Sequence, residues 1–455
     1  MILLNNTNKV SYLCAEFRRV MKEEKTPDIE KRGWMSLDNA AKIFPAVISK
    51  SLSSVFRIGS TLKEPVKISA LQEAVSITCR RFPYYLTSLR KGFFWYFLEY
   101  DPEIRPQLVV EDKRPCIAFP AKKGNYALFR IVVYDNHLSV EFLHVLTDGG
   151  GALEFFRSLL VTYLRKCGYD IPYSEGITDP STPVDPGETE DSYNKYFKRN
   201  VPPPPKLGNA WHLPHEPGQG NQLEITQALI PVSSIKEKAK AKGVTITEYL
   251  ASSYLYSLQE IYKKDRARDN HIIRLEIPVN MRRLYPSKTM RNFSLFVLPE
   301  FDMRLDYFTF DEIVRHVHNY MQIETDKKIL SKVIARNVKP ERNIFVRTTP
   351  VFIKDIFLSA AFKKHGATKY SGVLTNVGIA KFPEEAEKHI ETVSMIPPPP
   401  TKQLKVSCGV LSFKDNLCIS FGNNTGNTEL ERRFFSFLAG KGLEVTIKKN
   451  VWNER

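Results

Sequence analysis

Apolar and polar positions repeat along this chain with two different periods, and the residues where the period changes can be identified. Leu71-Gln72-Glu73-Ala74-Val75-Ser76-Ile77 opens an amphipathic helix, which ends near Arg81-Phe82-Pro83 because proline cannot continue it. Strand patterns follow at residues 93–100, 127–134 and 138–143, the last two joined through Asp135-Asn136, a tight-turn pair. The densest apolar run, Phe93-Phe94-Trp95-Tyr96-Phe97-Leu98, reads as buried strand. After Gly149-Gly150-Gly151 the helical period takes over, with Leu153, Phe156, Leu160, Tyr163 and Leu164 on one stripe.

Residues 173–222 break both periods. Pro180, Pro183, Pro186, the run from 202 to 205, Pro214 and Pro217 exclude helix interiors and central strands, so the segment reads as an extended crossover. Tyr193, Tyr196, Phe197 and Trp211 predict that parts of it lie on the protein. Beyond it, residues 245–262 predict a helix, 272–279 and 293–298 strands, and 311–330 one long helix. Residues 406–413 and 417–421 predict a hairpin, and Thr428-Glu429-Leu430-Glu431 a capping box opening a last helix through Leu438. The resulting class is mixed α/β, organised as 1–172, a crossover at 173–222, and 223–455.

With 42% hydrophobic and 25% charged residues over 455 positions, the chain has the composition of a globular protein. Lys and Arg number 66 against 50 Asp and Glu, an excess of +16 that favours anionic partners: phosphates, nucleic acid, an acidic carrier protein or a membrane surface. Zinc-finger and RNP-like signatures are missing and the cations are dispersed among many acids, so nucleic acid ranks last. Lys236, Lys238, Lys240 and Lys242 fall on two helical faces and read as solvated; residues 263–269, of mixed sign, read as an exposed loop. The six cysteines are scattered without a CxxC pair and the nine histidines without HxxxH spacing, so no metal site is expected. No apolar run approaches the ~18 residues that span a bilayer, and the opening MILL is too short for a signal-peptide core. The expectation is a cytoplasmic monomer with reduced thiols.

One stretch stands out for its chemistry. Alternation places Leu138, Val140, Phe142 and His144 on one strand face, so a histidine closes an apolar row; Asp148 follows four residues later, and three glycines permit a tight turn into a helix. Imidazole titrates close to neutrality and suits general-base work, although a core histidine and an ordinary strand-to-helix turn would leave the same pattern.

His144…Asp148-Gly149 resembles the HxxxDG motif of the superfamily that holds chloramphenicol acetyltransferase, peptide-synthetase condensation domains, polyketide-associated acyltransferases and alcohol acetyltransferases. Further segments resemble that superfamily in the expected order: residues 71–83, 126–130, 243–247 and 277–283, Arg291-Asn292-Phe293, and Thr375-Asn376-Val377-Gly378. The last is closest to the alcohol acetyltransferase-like branch, and the single histidine after Leu143 is that of acyltransferase branches. The resemblance implies two chloramphenicol-acetyltransferase-like domains with a tunnel at their interface. It further implies transfer of an acyl group from an acyl thioester, acyl-CoA or acyl carrier protein, to a small alcohol or amine. Coenzyme A thioester would be a co-substrate, with no permanently bound cofactor. His144 would be the general base and Asp148 a structural partner of Arg282, with Arg283 second. Gly149 shapes the loop, and Asn292 or Asn376 would steady the oxyanion or only form turns. A non-catalytic relative binding a lipid or carrier-linked acyl chain is the alternative.

Overall fold

The computed structural model describes residues 33–48, 53–111, 115–118, 120, 124–218, 223–268 and 270–448, with backbone only at 363–365. Its first part contains β1 (Trp34–Ser36), α1 (Phe44–Val47), β2 (Val55–Leu62), α2 (Ile68–Arg81), β3 (Thr87–Lys91), β4 (Tyr96–Tyr100), β5 (Gln107–Val110), β6 (Phe129–Tyr134), β7 (His137–Leu143) and α3 (Gly149–Lys166). The predicted helix at 71–81 and the strand pair about Asp135-Asn136 are present, and Asp135 takes the left-handed backbone (φ 49°) that the turn requires.

The apolar run at 93–98 is different from its expectation. Gly92 and Trp95 close a turn between β3 and β4, so only Tyr96 onward is strand, and Phe93 and Phe94 stand exposed at the tip. The three glycines also differ. They are the first turn of α3 itself, capped by Asp148, and none has positive φ. Close approach explains them instead. A Cβ on Gly151 would sit inside van der Waals contact of the Met290 carbonyl and the Thr147 hydroxyl, and 2.9 Å from the Tyr85 hydroxyl.

From 173 to 218 the chain is irregular and largely extended, interrupted by turns at 174–177 and 179–182, a 3₁₀ turn (Pro186–Thr189) and the single-turn α4 (Ser192–Lys195). Trp211 and Tyr193 are fully buried, Trp211 donating from its indole to Asp265 at 2.8 Å, so this strap is anchored as its aromatics predict.

The second part holds β8 (Glu224–Pro231), α5 (Val232–Ala241), α6 (Ile246–Tyr262), β9 (Ile272–Asn280), β10 (Ser294–Val297), β11 (Glu300–Asp302), α7 (Phe310–Glu324), α8 (Lys327–Val338), α9 (Ile344–Thr348), α10 (Val351–His365), β12 (Gly372–Ile379), α11 (Glu384–Glu387), β13 (Ile390–Ile396), β14 (Val406–Phe413), β15 (Asn416–Asn423), α12 (Glu429–Gly440) and β16 (Thr446–Lys448). The expected long helix at 311–330 is two, because Asp326 caps a new start by accepting from the Lys328 amide. The expected capping box at 428–431 does not form. Thr428 makes no side-chain cap, the Asn427 carboxamide accepts from the Glu429 amide, and Glu431 turns to Asn423 at 2.7 Å. A box does form at Thr245/Glu248, opening α6.

Three sheets result: β13-β2-β7-β6-β5, the small antiparallel β1-β4-β3, and β10-β9-β12-β14-β15-β8-β16, with β11 also on β9. Helices α2 and α3 pack together over the first sheet, whose core holds Phe82, Tyr85, Phe129, Phe142 and Phe155 in mutual ring contact. A second core gathers Trp211, Tyr254, Phe421 and Phe434. The chain leaves the large sheet after β12, adds β13 antiparallel to β2, and returns as β14. The first sheet is therefore completed by a strand from the far end of the sequence.

Candidate active site

The motif sits where β7 ends. His144 still donates its backbone N–H to Ser54 of the neighbouring chain segment, at 2.9 Å, and Asp148 then caps α3. Facing them are two turns of the second part: the 3₁₀ turn Met281–Arg283 after β9, and residues 289–293, which lead into β10.

Asn292 joins the two sides. Its Nδ2 donates to the His144 carbonyl at 3.1 Å and to Asp38 Oδ2 at 3.1 Å, which leaves Oδ1 facing His144 Nδ1 at 2.9 Å. With both amide hydrogens committed to acceptors, Oδ1 can only accept. The Nδ1 of His144 then carries the proton, and Nε2 holds the free lone pair. Nε2 takes no partner among the described residues. Phe44 stacks on the imidazole at 5.0 Å and Phe56 lies at 5.2 Å, so apolar walls hold the ring while leaving it partly exposed.

Asp38 was not among the residues the sequence singled out. It is buried, accepts from the Ala41 amide at 2.8 Å, and lies 3.7 Å from Arg291. Burial pushes its carboxyl above the usual range, outweighing the pull of Arg291, the Ala41 amide and Asn292.

Asp148 is tied differently. Its Oδ1 accepts from the Gly150 and Gly151 amides at 3.0 and 3.2 Å; its Oδ2 accepts from Arg282 Nη1 (2.9 Å), the Phe293 amide (2.8 Å) and the Ser294 hydroxyl (2.9 Å). Burial alone would raise this carboxyl, but the Arg282 charge and the hydrogen bonds from Arg282, Phe293 and Ser294 win and hold it below its ordinary value. Arg282 is fixed in turn by the Thr289 carbonyl (2.8 Å) and the Arg291 carbonyl. Arg283 is exposed and takes no part in this pairing. The Met290 carbonyl adds another tie, receiving the Thr147 hydroxyl at 2.6 Å with Tyr85 at 2.9 Å.

His144, Asp148, Gly149, Arg282 and Asn292 thus converge, whereas the Asn376 side chain is bonded to other partners. It donates to Thr247 at 2.9 Å and accepts from the Gly378 amide at 3.0 Å, forming an Asx turn on a bulge of β12. Its neighbour Val377 closes on Gly149, where a Cβ would meet it at 3.2 Å. Among the described residues, no three His, Cys, Asp or Glu side chains converge as a metal ion would require.

Residues 217–418 match the family model for alcohol acetyltransferase. Solved structures align over almost the whole chain. Polyketide synthase associated protein 5 from Mycobacterium tuberculosis aligns at TM-score 0.55 and 12% identity, covering 89% of this chain and 97% of that one. TRI3 trichothecene 15-O-acetyltransferase from Fusarium sporotrichioides aligns at 0.55 and 9% identity, covering 91% and 98%. F. graminearum TRI101, complexed with coenzyme A and T-2 mycotoxin, aligns at 0.58 and 10%, covering 91% and 99%. The chain has the condensation-domain and acyltransferase fold. No curated protein sequence matches it. Within this fold, the alcohol acetyltransferase match begins at the end of the strap and runs through β8 to β14, including the Arg282 and Asn292 turns and the Asn376 bulge.

Proposed function

We propose that this protein is an acyltransferase that moves an acyl group from an acyl thioester, with acyl-CoA as the donor class, to an alcohol or amine, making it an O-acyltransferase of the alcohol acetyltransferase type when the acceptor is a hydroxyl. The observation that carries the reading is His144, whose Nδ1 is held by Asn292 and whose Nε2 is left free beside apolar walls. The alcohol acetyltransferase match and the fold shared with TRI101, itself crystallised with coenzyme A, support the same reaction class.

In this mechanism Nε2 takes the proton of the acceptor as its oxygen or nitrogen attacks the thioester carbonyl. The tetrahedral intermediate then expels the thiolate, which recovers the proton from the His144 imidazolium. Asn292 Oδ1 accepts from Nδ1–H throughout and steadies the imidazolium while it exists. General-base assistance of this kind supplies ~10²–10⁴-fold, and holding both substrates together supplies much of the rest. Asp148 stays out of the proton path. Five donors already occupy its two oxygens, so its work is to clamp α3 to the turns carrying Arg282 and Asn292.

The test is thiol release from a series of acyl-CoA donors, with pooled alcohols and amines as acceptors, repeated with acyl carrier protein donors. Acceptor-dependent release is the expected result. No release from any donor would overturn the reading and leave a binding protein.

A further inference from the structure

Helix α10 is apolar nearly all round, yet only one side of it is covered. Val351 and Lys354 are buried on the side that packs on α1, while positions 352, 356, 357, 360 and 361 are exposed; this spacing (i, i+4, i+5, i+8, i+9) is one helical face. Phe352, Ile356 and Phe357 on that face are 58%, 68% and 69% exposed. The neighbouring elements extend the bare surface instead of covering it. Phe345 of α9 is 79% exposed, and the Phe93-Phe94 hairpin tip is fastened to the start of α10 by the Val351 amide to the Phe93 carbonyl (2.8 Å) and by Lys354 Nζ to the Phe94 carbonyl (2.8 Å). An exposed cluster of phenylalanines and isoleucines costs solubility unless something uses it.

The charge of the same stretch identifies what would. Residues 327–369 contain eleven Lys and Arg against two acids, nine of the chain's net +16 charges. Both acids are already engaged: Glu341 with Lys42 and Asn39, Asp355 with the Tyr96 hydroxyl and Lys91. Lys339, Arg342 and Arg347 are exposed on either side of Phe345. A second copy would bring two such cationic faces together. Residues 1–32 carry seven cations and five acids, so they offer no matching negative charge either. Among the described residues no helix is long and apolar enough to cross a membrane. An apolar face on a stretch of net positive charge, with Lys339, Arg342 and Arg347 exposed beside Phe345, matches a surface that presents phosphate above hydrocarbon.

We infer that α9, α10 and the Phe93-Phe94 tip form a docking face for anionic phospholipid membranes, on which the protein sits peripherally. The inference does not depend on the acyl-transfer reading, because vesicle binding is measured without turnover.

The experiment is co-sedimentation of the full chain with vesicles of phosphatidylglycerol and phosphatidylcholine, against vesicles of phosphatidylcholine alone. Binding is expected to the anionic vesicles, weakened at ~0.5 M salt, where screening is nearly complete. The Phe352→Ser/Ile356→Ser/Phe357→Ser variant should lose at least about 10-fold in vesicle affinity with an unchanged melting temperature. Phe345→Ser, on a separate helix, should weaken binding in the same direction. Equal affinity for both vesicle types, anionic binding that survives the serine variants undiminished, or no vesicle binding together with dimerisation in sedimentation, would each overturn the inference.

Discussion

Replacing Asp148 with asparagine tests the division of labour between the two motif residues. The carboxylate accepts five hydrogen bonds, and Oδ1 and Oδ2 face different donors. An asparagine supplies one acceptor and one NH₂. Either way round, the NH₂ meets donors: the Gly150 and Gly151 amides, or Arg282, Phe293 and Ser294. The variant also leaves the Arg282 guanidinium, 16% exposed, without its counter-ion. Removing one partner of a buried pair costs ~3–5 kcal/mol, a fifth or more of a typical total stability of ~5–15 kcal/mol. Guanidinium unfolding of wild type and Asp148→Asn should show that loss. Its pH dependence follows from the sign of the shift. The folded carboxyl lies below its ordinary value of 3.8, so its stabilisation is present above that value and is lost as pH falls through the lower folded value. The gap between the two proteins should narrow on acidification below about pH 4. A variant as stable as wild type yet inactive would refute the reasoning and move Asp148 into the chemistry.

Two further outcomes are expected from the residues around it. Asn292→Leu keeps the branched shape but removes the acceptor for Nδ1–H together with the donations to Asp38 and the His144 carbonyl, so stability should fall as well, and kcat of the folded protein should fall at least about 10–150-fold, the equivalent of one charge-assisted hydrogen bond of ~1.5–3 kcal/mol, while KM moves little; an unchanged kcat would remove Asn292 from its positioning role. Gly151→Ala gains ~1 kcal/mol of helix propensity but drives a methyl into the Met290 carbonyl and Thr147, at an overpacking cost of ~1–3 kcal/mol plus displaced hydrogen bonds. It should therefore destabilise, whereas Gly149→Ala, which meets only Val377, should be close to neutral in a thermal melt.

Local pattern carried most of what the sequence revealed. The strand leading to His144, the helical stripe after the glycines and the buried strap aromatics were legible because alternation, helical period and proline density each have a local cause, whereas the cap that Asp148 makes on α3 was not read. The Arg282 and Asn292 turns were marked only by resemblance. Asp38 was not legible: it lies 254 positions from Asn292, and nothing in Ser36-Leu37-Asp38-Asn39 distinguishes a buried anchor from a surface acid. Strand β13 was missed for the same reason, since joining β2 is a long-range choice that residues 390–396 do not declare. The errors at 93–98 and 428–431 share another cause. Apolarity does not say which side of a hairpin faces water, and a Thr-x-x-Glu box competes with any better partner, here Asn423 for Glu431. Asn376 was also marked by resemblance, and its side chain is bonded to Thr247 and to the Gly378 amide.

The most direct measurement is the rate of acceptor-dependent thiol release by His144→Ala against wild type, with the melting temperature recorded on the same preparations. If His144 is the general base, release should drop by ~10²–10⁴-fold while the melting temperature stays close to wild type, because the imidazole is partly exposed and among the described residues its ring bonds to Asn292 alone. Transfer retained alongside a large loss of stability would contradict the account and make His144 a packing residue.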